Sequence, residues 1–524
     1  MHKKYFFLIA FLFAVTITTA QNKNFKTSNG AWSVVPYASN VVKLTFKPNG
    51  YTRNENITNA VFAKPLLKPA VIKISSNDSV ILLEKGRRVK ITAAAFSDGY
   101  NGFKIELNGD EKIFGGGERA LPLNRRGYKF PLYNNPWYGY SNGADALNFS
   151  VPFFTSSDGY ALFFDNASKG YVDIGKTDSS VFEAGFSSGE LNVYVIFGKD
   201  YKEILSSYFK LTGTQPLPPR WAMGNFMSRF GYGSEAEVKD IAGKMKKEQI
   251  PFDAIIFDLF WFGDSIKRTM GNLDWVNKTA WPNPKKMIGD FKKQNINTVL
   301  IAEPFILENT KQYNFAKKYF AVDIAGKPFR LTDFYFGYGG LLDIFRKDAG
   351  DWIWNNHYKE QIANGVTAWW TDLGEPEKHP ASLMHNLKSL GVKRLMGADE
   401  VHNIYGHYWN KMLFDNYAKE LPNERLFHLN RSGFAGSQRY NIFPWSGDVS
   451  RSWSGLQAQV PLMLGMSMSG IPYIHADAGG FAGGEGDNEL YVRWLQYAAF
   501  TPIFRPHGTA LFEKDTATFS FPSE

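Results

Sequence analysis

Trp369-Trp370-Thr371-Asp372-Leu373-Gly374-Glu375-Pro376 closes a short apolar run that begins at Gly365. The run reads as a buried strand. It stops at a carboxylate, after which Gly374 and Pro376 turn the chain into a loop. An acidic group at the end of a buried strand is costly unless a partner or a reaction uses it. In a barrel of alternating strands and helices, chemistry sits at the strand C-termini. The spacing alone leaves two readings open: a reactive carboxylate, or one that caps the next helix or pairs with an arginine.

On either side the same pattern recurs. Trp221–Met227 is strand-like, and Ser234 with Glu237 three residues on reads as a capping box opening a helix. Ala254–Phe257 runs into Asp258, and Thr298–Ala302 into Glu303. Leu426–Leu429 runs into Asn430-Arg431, Asn441–Trp445 into Asp448, Pro472–His475 into Asp477, and Pro502–Phe504 into Arg505 and His507. Amphipathic stretches such as Pro284–Gln294 and Asp348–Ala363 lie between them. Eight strand candidates from Trp221 to His507, most followed by a helical segment, predict a (β/α)8 TIM barrel over residues 216–524. Its ionisable strand ends converge on one face. A Phe-, Tyr- and Gly-rich excursion at about 305–345 is expected to form a loop subdomain on that face.

Residues 21–215 have a different texture. Short alternating runs such as Val41–Phe46, Ala70–Ile74, Val80–Leu83, Phe103–Leu107, Tyr160–Phe164 and Asn192–Phe197 are separated by turn residues, which predicts an all-β sandwich. Gly115-Gly116-Gly117-Glu118-Arg119 lacks the Gly-Lys-Ser/Thr ending of a phosphate loop and reads as a structural turn. The aromatic loop Tyr133–Tyr140 is long enough to reach a neighbouring domain. Pro216, Pro218 and Pro219 mark the linker.

Lys3-Lys4, the apolar stretch from Tyr5 to about Val15, and the small residues up to Ala20 have the order of a signal peptide, residues 1–20. Export is the expectation, to the periplasm or beyond the cell. No later stretch is long and apolar enough to predict a membrane span. The chain has no cysteine, which excludes thiol catalysis, disulfides and Cys-ligated metals. A net charge of +9 spread over 524 residues, without a dense basic run, argues against nucleic-acid binding. Aromatic residues make up 16% of the chain; most belong in cores, and exposed ones suit the C–H faces of sugar rings.

Clustered carboxylates invite a metal, but no His-x-x-x-His pair or calcium loop is present, and no metal or other cofactor is expected. No Gly-x-Ser-x-Gly elbow supports a serine hydrolase. What remains is carboxylates flanked by Trp, Arg and His, the material of glycoside hydrolysis.

Trp370-Thr371-Asp372-Leu373-Gly374-Glu375-Pro376 resembles the nucleophile signature of glycoside hydrolase family 31, the α-glucosidase and α-xylosidase family. Trp445-Ser446-Gly447-Asp448 resembles its acid/base signature. Asn430-Arg431-Ser432-Gly433, His475-Ala476-Asp477-Ala478-Gly479-Gly480-Phe481 and Phe504-Arg505-Pro506-His507 continue the match. Phe114 to Arg119 resembles its N-terminal sandwich motif, and Pro251 to Trp261 its second barrel strand. The motifs run in order from about Ala31 to His507.

The resemblance implies a galactose mutarotase-like β-sandwich ahead of the barrel, and a retaining, exo-acting α-glycosidase that removes terminal non-reducing α-glucosyl residues from an oligosaccharide. It assigns Asp372 as nucleophile and Asp448 as acid and then base, their carboxyls roughly 5–5.5 Å apart. Arg431 beside Asp372 is expected to keep it ionised. Asp258 and His507 are expected to hold sugar hydroxyls, and Trp370, Trp445 and Phe481 to wall the pocket. Glu375 is expected to orient the loop, with helix capping as the alternative. Asp477 stands between structural support and ligand contact, and Glu303 reads as structural. An α-xylosidase, an α-galactosidase, a transglycosylase, a lyase and a non-catalytic carbohydrate-binding relative stay open. Members of the family continue through a last barrel helix and two β-domains, whereas here only Gly508 to Glu524 follow the eighth strand. A C-terminally truncated barrel, poorly soluble or weakly active, is the expectation. Oligomeric state has no sequence signature here.

Overall fold

The computed structural model describes residues 18–20, 23–65, 70–76, 79–484 and 486–509. Most of the expected leader lies outside them. So does the segment after Thr509. Thr18–Ala20 form a short edge strand against Ala70–Ser76.

The N-terminal half is a sandwich of an eight-stranded and a seven-stranded sheet. Alternation makes it so. In Val41–Pro48 the buried positions Val42, Leu44 and Phe46 point inward, while Lys43 and Thr45 are half-buried on the other face. Facing strands contribute Phe103, Ile105, Phe154, Phe164 and Phe182, and the two layers close over an apolar core.

Gly115-Gly116-Gly117 corrects the turn reading. It belongs to the edge strand Ile113–Gly117 of the seven-stranded sheet, paired with Ser150–Ser156 across a register break. The three glycines have φ of 105°, 87° and 82°. A Cβ on Gly117 would lie 2.4 Å from the Phe149 carbonyl, so only glycine fits. This strand also meets the barrel: the Gly117 N–H donates to Ser469 Oγ at 3.0 Å, just past the helix Trp453–Met468.

Helix Tyr201–Thr212, capped by Asp200, leads into the prolines of the linker. Beyond it, six parallel staves run in sheet order: Phe226–Ser228, Ala254–Phe257, Asn297–Ala302, Ala368–Thr371, His428–Asn430 and Ile442–Pro444. Single parallel bridges complete the ring. Trp445 pairs with His475, Ala478 with Pro506, and Asn225 with Phe504. Staves seven and eight are therefore one-bridge strands, shorter than their apolar runs suggest, and the barrel closes on itself.

The staves are buried on both faces, as parallel strands under a helical layer must be. Helices follow most of them, among them Glu235–Lys247, Pro284–Lys293, Tyr405–Glu420, Trp453–Met468 and Asn488–Ala498. Ser234 caps the first of these, accepting the Glu237 N–H. The Glu237 carboxylate reaches one residue further back than a capping box, to the Gly233 N–H at 2.7 Å. The excursion after stave three carries the hairpin Phe305–Leu307 with Gly339–Leu341. A second excursion, after stave four, carries the hairpin Met384–Asn386 with Leu395–Gly397, and joins the first through a Val322–Met384 bridge. No helix among the described residues is long and apolar enough to cross a membrane.

Candidate active site

Asp372 follows stave four directly. Its N–H donates to the Ala302 carbonyl of stave three, and the next residue, Leu373, takes the left-handed conformation at φ 56°. A buried, branched residue there is held by its surroundings rather than by preference. The turn leaves the Asp372 side chain at the barrel mouth and sends Glu375 behind it.

Arg431, after stave five, gathers the acids. Its Nε donates to Glu375 Oε1 at 2.8 Å, and its Nη2 to Glu375 Oε2 at 2.9 Å and Glu377 Oε2 at 2.7 Å. The fork fit is the bidentate geometry that arginine favours. The same guanidinium faces Asp372 Oδ1 at 3.4 Å from Nε and Asp448 Oδ1 at 3.8 Å from Nη1. The carboxyls of residues 372 and 448 thus lie at one end of the barrel, on one cation. Asp448 is tethered from the sandwich side: its carbonyl accepts the Gly139 N–H at 2.8 Å.

Burial raises Asp372 above its ordinary value; Arg431 opposes the shift without reversing it, and Glu377 adds to it. Arg431 thus acts on Asp372 in the expected direction, but burial outweighs it and the net shift is upward. Asp448 is pushed well above the carboxylate range by burial, again opposed by Arg431 and helped by Asp372. Of the two, Asp448 is the one shifted further. Asp372 keeps 18% and Asp448 23% of side-chain exposure, all of it toward the pocket.

Asp258 follows stave two, is buried, and sits 3.6 Å from His507 Nε2. His507 is oriented from behind by Ser228 Oγ at 2.7 Å on Nδ1. Its ring stacks on Phe481 at 5.4 Å between centroids and meets Trp370 edge-on at 5.2 Å. Trp370 packs edge to face with Trp445 at 5.4 Å, and the Arg505 guanidinium lies over both rings at 5.2 and 5.6 Å. Arg505 also pairs with Asp477 and takes His475 Nε2 at 3.2 Å. Even so, burial pushes Asp477 up to about 7.

These groups wall a cavity of about 520 Å³, within the usual range for small-molecule sites. Every residue assigned from the sequence to catalysis or substrate contact lies on its wall, together with Asp477. Glu375 stands behind the wall on Arg431. Among the other residues on the wall, four bear on the chemistry. Glu303 was read as structural, yet it lines the cavity with Oε1 buried and unpartnered. Its position at a strand end was the signal. Glu377 completes the Arg431 cradle. Tyr138, from the aromatic loop of the sandwich, and Tyr335, from the first excursion, reach the mouth with 64% and 63% exposure. Loop reach has no periodic signature, so neither could be assigned from sequence alone.

One further property singles out this cavity. Trp370 Nε1, Glu303 Oε1, Asp372 Oδ1 and His507 Nε2 are buried polar atoms of its wall with no hydrogen-bond partner. Polar groups that the protein itself leaves without a hydrogen bond around one space are arranged for a ligand with several hydroxyls. Paired acids on one arginine, an aromatic wall and a sandwich lid define the class: a barrel protein with a sugar-type acid site at its C-terminal face.

Comparison with known proteins narrows the class. The Glycosyl hydrolases family 31 TIM-barrel domain model matches residues 215–524, and the Glycosyl hydrolase 31 N-terminal galactose mutarotase-like domain model matches residues 9–173. The chain belongs to glycosyl hydrolase family 31. Alpha-glucosidase 2 of Bacillus thermoamyloliquefaciens is 29% identical over 522 residues, covering 92% of this chain and 64% of that protein. An alpha-xylosidase of Saccharolobus solfataricus is 29% identical over 433 residues, covering 80% of this chain and 55% of the other. The structure of a Flavobacterium johnsoniae GH31 dextranase complexed with glucose superposes with a TM-score of 0.82 at 28% identity, covering 94% of this chain and 65% of that one. The chain spans 64% of the length of the Bacillus protein and 65% of the length of the dextranase.

Proposed function

We propose that this chain is the sandwich and barrel of a retaining, exo-acting α-glycosidase that removes terminal α-glucosyl residues by double displacement. One observation carries the reading: Asp372 and Asp448 share Arg431 in a pocket where Trp370 Nε1, Glu303 Oε1 and His507 Nε2 have no hydrogen-bond partner in the protein. Asp372 attacks the anomeric carbon while Asp448 gives its proton to the departing oxygen. The ester formed on Asp372 is then cleaved by water, whose proton returns to Asp448. The higher-shifted Asp448 suits the acid, since it stays protonated where Asp372 is ionised. Asp258 and His507 would take a sugar diol, and Trp370, Trp445 and Phe481 its apolar face.

The pocket is blind behind Arg505 and Asp477, which favours end-on entry of a single terminal sugar. The glucoside preference is supported by the α-glucosidase and dextranase relatives, and the α-xylosidase relative makes xyloside the rival substrate. A panel of 4-nitrophenyl α-glycosides tests both, with the product anomer followed by NMR. The α-anomer appearing first is expected; the β-anomer first defeats the double displacement. If Asp372→Ala leaves sugar affinity intact and the unaltered protein turns over nothing, the site is a binding site only.

A further inference from the structure

Beside the nucleophile loop, a row of groups from four parts of the chain, buried except for the half-buried His379, is hydrogen-bonded end to end. The Asn134 carbonyl of the sandwich lies 2.5 Å from His402 Nε2. His402 Nδ1 lies 2.9 Å from His379 Nδ1, and His379 Nε2 lies 2.8 Å from His385 Nε2. His385 Nδ1 ends the row 2.8 Å from Asp343 Oδ1, while Asp343 Oδ2 accepts the Asn386 N–H at 2.8 Å. Asp343 and His385 are fully buried, and His402 is 3% exposed.

The protons of this row can be counted. Each of its four links needs one proton. A carbonyl supplies none, so His402 donates to Asn134; a neutral His402 then accepts from His379, and a neutral His379 accepts from His385. A neutral His385 now has only a lone pair to set against Asp343, and an ionised carboxylate has no proton to offer. Three neutral imidazoles fill three links. The fourth requires one more proton, carried by Asp343 or by one of the three imidazoles.

We propose that Asp343, His385, His379 and His402 form a proton-holding clamp on the loop that carries Asp372, Glu375 and Glu377, and that the clamp loosens when its extra proton leaves. The placement supports it. The loop is fastened at its start by Arg431 through Glu375 and Glu377, and at its far end by His379. The clamp ties that end to the sandwich through Asn134, to the first excursion through Asp343 and to the second through His385. Burial, followed by the neighbouring imidazoles, drives His379 well below the imidazole range, and burial takes His402 down to about 4. Both shifts work against a second proton on His379 or His402. The charged groups around the row are satisfied elsewhere: Lys169 pairs with Asp399 at 3.6 Å and Lys378 with Asp333 at 2.7 Å. Tyr133 stacks on His402 at 4.0 Å with its hydroxyl toward Asp399, and Phe345 covers His385 edge-on at 5.1 Å. His379 is a positioning residue on this view.

The test is Asp343→Asn. Its amide Nδ2 can donate to His385 Nδ1 while its oxygen keeps the Asn386 N–H, so three neutral imidazoles then fill all four links. Nitrogen-15 NMR of labelled histidines, with carbon-13 aspartate, reads the proton. In the unaltered protein at neutral pH, either His385 is doubly protonated or the Asp343 carboxyl is protonated; in Asp343→Asn all three imidazoles are neutral. Hydrogen exchange of residues 373–379 reads the clamp. Above the pH at which the proton leaves, exchange quickens in the unaltered protein relative to Asp343→Asn at the same pH. Three neutral imidazoles beside an ionised Asp343 in the unaltered protein overturn the count, whether or not the variant folds. Equal loop protection in both proteins at every pH overturns the clamp. Neither measurement involves sugar turnover, so the outcome is separate from that of the proposed activity.

Discussion

The interior of the sandwich and the inner mouth of the barrel are built on opposite terms. Between the sheets, Phe103, Phe154, Phe164 and Phe182 bury fully and ask nothing of their neighbours but contact. At the mouth, Asp258, Asp372, Asp448 and Asp477 lie around Arg431 and Arg505 with Glu303 beside them, and burial holds each acid above its ordinary pKa. The first region is held together by apolar contact. The second is held in an unfavourable state by the structure around it, which is how a site keeps groups ready for a ligand. The difference is sharp enough to be broken by substitution.

The largest effect belongs to Asp372. Asp372→Asn removes the attacking oxygen and one charge from a cluster of like charges. Turnover of a 4-nitrophenyl α-glycoside is expected to fall ~10⁴-fold or more. The melting temperature is expected to hold or rise, since Asp258, Glu303 and Asp448 lose a repelling neighbour. A matched loss of stability and turnover would mean that the mouth is ordinary core.

Phe164→Ala is the converse. It opens a cavity between the sheets and is expected to cost about 3–5 kcal/mol by urea unfolding, with kcat of the folded fraction unchanged. Arg431→Leu joins the two behaviours. It strands Glu375, fully buried, with Glu377 beside it, so a destabilisation of about 3–5 kcal/mol is expected together with loss of turnover. If Arg431→Leu were neutral in stability, the acid cluster would be satisfied by something other than that guanidinium.

The pH profile follows from the two catalytic acids. Asp372 must be ionised and lies above its ordinary value, so activity falls as pH drops through its raised pKa. Asp448 must be protonated and lies higher, so activity falls as pH rises through its own. A bell with both limbs above about pH 4 is expected in kcat/KM, the acid limb set by Asp372. Asp477→Asn takes an acid out of the surroundings of Asp448, which is expected to bring the alkaline limb down.

The two regions also differ in how far the sequence reveals them. The sandwich strands follow from period-two alternation, and Ala254–Phe257 and Tyr160–Phe164 are seen with the bounds their apolar runs give. Most of the mouth is legible for a related reason: a buried strand that stops at an acid is a local signal, and it recurs at Asp258, Asp372, Asp448 and Asp477. What is not legible is non-local. The histidine row joins residues 134, 343, 379, 385 and 402, which share no period or motif. Glu303 ends a buried strand as Asp372 does, yet from sequence it reads as structural. Gly115–Gly117 reads as a turn because three glycines break alternation. Only the approach of Phe149 and Val151 shows that a strand needs them there.

The smallest effect lies at the rim, where the two regions touch. Tyr138 comes from the sandwich, stands 64% exposed, and meets Phe481 edge-on at 6.2 Å across the pocket mouth. Removing an exposed ring costs the fold little, because water already covers most of it. An aromatic face at the mouth is nonetheless placed to stack on the second sugar of an oligosaccharide, worth about 0.5–1.5 kcal/mol. Tyr138→Ala is therefore expected to leave the melting temperature within about a degree and to raise KM several-fold for a disaccharide. KM for a single-sugar fluoride is expected to stay unchanged, because that substrate ends before the rim. An equal rise for both substrates would place Tyr138 in the inner pocket wall, and no rise for either would make the sandwich a scaffold for the barrel without a hand in the substrate.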